Sequence, residues 1–124
     1  LVVKKETYLN TTNGKETVNK TNTSIAIDFA RNIAGYKCDS NGKILNSKIP
    51  NNVNIYLSNI SFLMEEVVVF CDNKKLLLLV TYCPARKKFS ACLSKFGKIY
   101  KKFTEEEQAI AIMKAVLEVD KKGK

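Results

Sequence analysis

The chain reads as one α+β domain, 1–124, in which an antiparallel β-meander is packed by an N-terminal and a C-terminal helix. Three observations predict this. Apolar residues recur at helical spacing over 25–34, a second helical stripe follows Thr104, and the stretch between them consists of short apolar runs separated by turn residues.

The elements follow in order. Residues 1–23 begin with Leu1-Val2-Val3 and continue rich in Thr, Asn and Lys, so they read as an edge strand or a flexible segment. Ser24 is placed to cap a helix whose apolar face is Ile25, Ala26, Phe29, Ala30 and Ile33, with Gly35 after its last turn. Asp39-Ser40-Asn41-Gly42 then predicts a hairpin joining Tyr36–Cys38 to Lys43–Leu45, because Asn-Gly supplies the positive φ angles of a tight turn. After the turn at Pro50-Asn51-Asn52, the alternation of Val53, Ile55 and Leu57 with Asn54, Tyr56 and Ser58 predicts a strand running to Leu63. Two further strands are expected, Glu66–Cys71 and Leu76–Cys83, joined by a turn at 72–75. Both are apolar on both faces, which marks central strands covered above and below and leaves room for a homodimer across one sheet face. Pro84 closes the third strand, and Phe89–Leu93 and Lys98–Phe103 follow as shorter ones. Thr104 with Glu107 forms a capping box for a last helix, whose stripe is Ala109, Ile110, Ile112, Met113, Val116 and Leu117.

Charge is unevenly distributed along this framework. The chain has 21 Lys and Arg against 12 Asp and Glu, a formal net charge of +9. No acidic residue lies between Asp72 and Glu105, and that interval holds Lys74, Lys75, Arg86, Lys87, Lys88, Lys95, Lys98, Lys101 and Lys102. Those nine cations equal the whole net charge, so the remainder of the chain is neutral. Such a segment projects a field that speeds encounter with polyanions. Its cations interleave with Phe89, Phe96, Tyr100 and Phe103, as on surfaces that hold sulfated sugars or single-stranded nucleic acid.

The chemistry of catalysis is poorly provided for. With no His in the chain, the familiar serine, cysteine and metal hydrolases and the two-His zinc fingers are excluded. Glu65 and Glu66 are adjacent and would point to opposite faces of a strand, while Glu105, Glu106 and Glu107 fall where a helix N-terminus accounts for them. No phosphate-cradling glycine loop or nucleophile elbow occurs. The expectation is a non-enzymatic protein without cofactor or metal.

Four cysteines in a short chain predict two disulfides rather than a zinc site, since no Cys-x-x-Cys pair is present. The pairing read from the expected strands is Cys38–Cys71 and Cys83–Cys92. Asn10, Asn19, Asn22 and Asn59 each begin a glycosylation sequon, where the chain's 12 Asn and 15 Ser and Thr would give about 1.5 by chance. Together with a first residue that is Leu rather than Met, these features predict a secreted, extracellular glycoprotein with no membrane span. Its expected partner is an acidic extracellular or host protein surface, or a sulfated glycan of the heparin type, engaged through residues 74–102. One alternative is an intracellular nucleic-acid-binding domain with reduced cysteines. Another is a protease inhibitor of a new kind: helix, meander and two disulfides resemble cystatin-type inhibitors, but the Gln-Val-Val-Ala-Gly-like hairpin and the second-loop Trp are absent.

Overall fold

The computed structural model describes residues 22–123, and the segment expected as an edge strand or flexible arm, 1–21 of it, lies outside the described residues. The fold is α+β, with an antiparallel sheet and helices at both ends.

Helix α1 covers 22–29 and runs into a π-helical turn, Ala30–Ala34, closed by Gly35 at φ +81° with its N–H on the Ala30 carbonyl. Of the expected apolar face, Ala26, Phe29 and Ala30 are buried and Ile25 and Ile33 half-buried against the core, and Ile27, outside that expected face, is buried as well. Ser24 lies within the helix instead of capping it. The hairpin also forms: Cys38 bridges Ile44, and the Asp39 carboxylate accepts the Asn41 and Lys43 N–H groups, each at 2.9 Å. Gly42 is required at the next position. It sits at φ +92°, and a Cβ there would lie 2.8 Å from a Val53 methyl.

The next two expected strands are helices. Short α2, Ile55–Ser58, leads into α3, Ile60–Lys74. The Asn59 side chain accepts the Phe62 N–H at 3.1 Å, an N-cap that starts α3. Lys75, left-handed at φ +59°, ends it, with its N–H on Asp72 and the Leu76 N–H on Cys71, the paired bonds of a Schellman motif. On α3 the buried positions are Leu63, Val67 and Phe70, spaced four and three as on one helix face, and Tyr56 is buried from α2. The β-branched triplet Val67-Val68-Val69 suggested a strand, yet Val68 and Val69 are exposed while Val67 is in the core. Tertiary packing on one face outweighed a weak local preference.

Strands β1 (Leu77–Cys83) and β2 (Lys88–Lys95) form an antiparallel hairpin in continuous register from Leu77 opposite Ser94 to Cys83 opposite Lys88. On the other side of β2, β3 (Lys98–Ile99) pairs with one end and β4 (Phe103–Glu105) with the other. Strand β1 is therefore an edge, not the covered central strand its composition suggests. Leu78 and Val80 pack inward, while Leu77 and Leu79 are open.

Helix α4, Gln108–Lys122, begins after Glu107 in extended conformation with no side-chain cap. The expected capping box does not form, because Thr104 is held in β4, its hydroxyl 2.9 Å from that of Ser90. The helix lies between the sheet and a layer made by the earlier helices. That double burial explains why Ala111 and Ala115 join Ile110, Ile112, Met113, Val116 and Val119 in the core.

Candidate functional site

The basic segment is dispersed over the fold. Strand β1 carries the chain from Lys74 and Lys75 to Arg86 and Lys87, about 20 Å away along the sheet. At the near end, Lys74 from the last turn of α3, Lys95 from β2 and Lys98 from β3 line a cleft of about 180 Å³ together with Tyr100 and Lys122 from the end of α4. Its other described walls are Leu76, Val119 and Gly123, and no carboxylate is among the described residues that line it. Lys98 Nζ stands 4.8 Å over the Tyr100 ring, and Lys74 Nζ 5.5 Å over the Phe70 ring, so ring faces hold these ammonium groups in place. Lys122 is shared with Glu118, 3.3 Å away. Four cations thus converge from four elements, with one partly neutralised.

The remaining cations lie elsewhere. Arg86 and Lys87 form the exposed tip of the β1–β2 hairpin, where Lys87 is left-handed at φ +54°. Lys88 turns away from them into a cleft with Glu105, Glu106, Glu107, Thr104 and Asn22. It faces negative charge and is not part of a positive surface. Lys101 and Lys102 are exposed on the β3–β4 connection, with Lys101 Nζ 5.1 Å over the Phe103 ring. Lys75 is exposed at the end of α3.

Lys122 was not legible as a site residue, because it follows the acidic stretch that bounds the segment in sequence. A pair of lysines ending a helix signals only favourable interaction with the helix dipole. The aromatic residues are mostly committed to packing: Phe103 and Tyr100 rest on the core, and Phe89 lies 4.7 Å from Tyr82. Phe96 alone is laid open, at 91% exposure.

The carboxylates take structural roles. Glu66 accepts a hydrogen bond from the Tyr56 hydroxyl at 3.3 Å, and burial, then the Glu66 charge, pushes the Tyr56 phenol well above its ordinary range. Tyr36 is raised for the same two reasons. Glu105 pairs with Lys114 at 2.7 Å and ties β4 to α4. Among the described residues no group of His, Cys, Asp and Glu could hold a metal ion.

All four cysteines are free thiols. Cys92 lies opposite Leu79 and Cys83 opposite Lys88, so four residues of strand, about 13 Å, separate the expected Cys83–Cys92 pair. That bridge is incompatible with the hairpin register. Cys38 and Cys71 both border the core, and burial raises both thiols above their ordinary values. Of the sequons, Asn10 and Asn19 lie outside the described residues. Asn22 donates to Glu107 at 3.4 Å, and Asn59 is exposed with its carbonyl oxygen used as the α3 cap.

No helix among the described residues is long and apolar enough to cross a membrane. Comparison with protein-family models, with curated proteins and with solved structures returned no match to this chain.

Proposed function

We propose that this is a secreted, non-enzymatic binding protein that engages a polyanion, either an acidic protein surface or a sulfated glycan, at the lysine-lined end of its sheet. The observation that carries this is the cleft where Lys74, Lys95, Lys98 and Lys122 meet around Tyr100 with no carboxylate among the described lining residues. Lys122 is partly neutralised by Glu118, but Lys74, Lys95 and Lys98 make no salt bridge among the described residues, and cations so placed gain more from a multivalent anion than from water and mobile counterions, a gain that falls as salt rises. The hairpin tip with Arg86 and Lys87 is a second, more distant contact for an extended polyanion.

Single-stranded nucleic acid fits less well. It is held by stacking on several open rings, and among the described residues of the basic segment Phe96 is fully open while Tyr82, 49% exposed, is engaged with Phe89 at 4.7 Å. The secretory reading rests on the four sequons and the even cysteine count, and it has Cys38 and Cys71, free thiols in this structure, oxidised to a bridge in the native source. Free-thiol counting on protein from its native source tests that part, since four free thiols would remove it.

Retention on immobilised heparin tests the site. The chain is expected to elute above physiological salt. Lys74→Ala, Lys95→Ala and Lys98→Ala combined should lower the eluting salt more than Arg86→Ala with Lys87→Ala. Elution of the unaltered chain at or below physiological salt overturns the glycan form of the proposal.

A further inference from the structure

Strand β1 is built as an edge without the usual protection. Natural edge strands carry an inward charge, a proline or a bulge that prevents further pairing. The seven residues of β1, Leu77-Leu78-Leu79-Val80-Thr81-Tyr82-Cys83, contain none of these. Among the described residues β2 pairs with one side of β1 and no strand pairs with the other. In an antiparallel ladder every second residue directs its N–H and C=O away from its neighbour, so β1 presents a row of unpaired backbone groups. Beside that row, Leu77 is 68% and Leu79 48% exposed on the sheet face away from the core, in line with Cys92 and Ile99.

We propose that β1 receives an extended segment of a partner protein as an added strand, and that this segment is apolar or β-branched in its middle and acidic at both ends. Backbone pairing requires a polypeptide, because neither a glycan nor a lipid surface can complete the ladder. The acidic ends follow from charge. Lys74 and Lys75 precede β1, and Arg86 and Lys87 follow it, while β1 itself is uncharged. A second copy paired about a two-fold axis at Val80 would set Lys74 and Lys75 of one chain beside Arg86 and Lys87 of the other, like charge against like at both ends. The chain's own Leu1-Val2-Val3 is followed by Lys4-Lys5, the same sign again. This inference deepens the acidic-partner reading, and its test does not depend on heparin retention.

The test uses the full chain, isotope-labelled for NMR, and the synthetic peptide Asp-Glu-Val-Thr-Val-Thr-Val-Glu-Asp. Expected are shifts centred on the amides of residues 77–83, binding at least tenfold weaker when the acidic ends are replaced by Lys, and loss of binding when alternate peptide nitrogens are methylated. Leu77→Asp and Leu79→Asp, at exposed positions on the face away from the core, should each weaken binding of the acidic-ended peptide at least tenfold, by removing an apolar cross-strand contact and adding like charge. Absence of β1 shifts at millimolar peptide overturns the proposal, as does equal binding of the Lys-ended or methylated peptide. Two further results assign the edge to another occupant and also overturn it: a concentration-dependent dimer protecting the β1 amides, or peptide binding that appears only after removal of residues 1–21. Peptide binding without heparin retention would retain the strand site and remove the glycan reading.

Discussion

Replacing Phe96 by Asn should make the protein more stable although it deletes a large apolar side chain. Phe96 and Gly97 are the two loop residues between the paired Lys95 and Lys98, with φ of +50° and +83°. Both central positions of this two-residue hairpin are left-handed, the geometry in which Asn-Gly is favoured. A left-handed residue with a Cβ costs about 1–2 kcal/mol, and Asn tolerates the region better than a bulky ring does. Little is lost in exchange. The ring is 91% exposed, so almost no burial disappears, and its contact with Lys95 Nζ at 5.8 Å is an exposed cation–π pair of about 0.5 kcal/mol. The net expectation is a gain of about 0.5–1 kcal/mol. With a urea dependence of about 1–3 kcal/mol per molar for a small domain, the unfolding midpoint should rise by a few tenths of a molar with unchanged slope. Heparin retention should be unaltered, because Lys95 and Lys98 keep their places. A midpoint that falls by the same amount would refute the reasoning, since it would mean that the ring is buried against something in solution.

Other expectations follow from the core and from the shifted groups. Leu93→Ala, at a fully buried position of the central strand facing α4, should destabilise by about 2–5 kcal/mol and lower Tm by more than any single lysine substitution. The Asp39 carboxyl is held below its ordinary value, first by the Lys43 N–H and also by those of Asn41 and Gly42. Its contribution to the 38–44 hairpin is complete above the unfolded carboxyl's range, about pH 4, and is lost as pH falls through the lower folded value. The Asn41 and Lys43 amide shifts should move only in that acid window, and Asp39→Asn should abolish the movement. Tyr56 and Tyr36 are raised, so the folded state keeps their protons while the unfolded chain releases them above pH 10. Stability should fall as pH climbs beyond 10, and Tyr56→Phe should make that fall shallower while removing the latest step in phenolate absorbance.

The terminal helices, the Asp39 hairpin and the β1–β2 hairpin were legible because each combines a period with a local stop: Gly35, Asn41-Gly42, Pro84. The middle of the chain was not. Val53 to Cys71 carries β-branched residues and short alternations that fit a strand as well as a helix, and its deciding signals are the Asn59 cap and the four-and-three spacing of Leu63, Val67 and Phe70. That spacing becomes evident only once it is known which side chains share a core. The Cys83–Cys92 pairing failed for a separate reason: both residues lie in the hairpin that was legible, but its register, with Cys83 opposite Lys88 and Cys92 opposite Leu79, was not.

Charge, composition and the absence of histidine are properties of the chain itself, and they determine that this protein is strongly basic over 74–102 and lacks imidazole chemistry. Where those cations act is a property of the fold. A stretch contiguous in sequence is spread by an extended strand over about 20 Å, Lys88 is turned toward three glutamates, and Lys122 is brought in from the far end of the chain. The same holds for β1. Its composition is apolar on both faces wherever it lies, but its position at the sheet edge depends on which strands pair with β2, a long-range choice that no local pattern encodes.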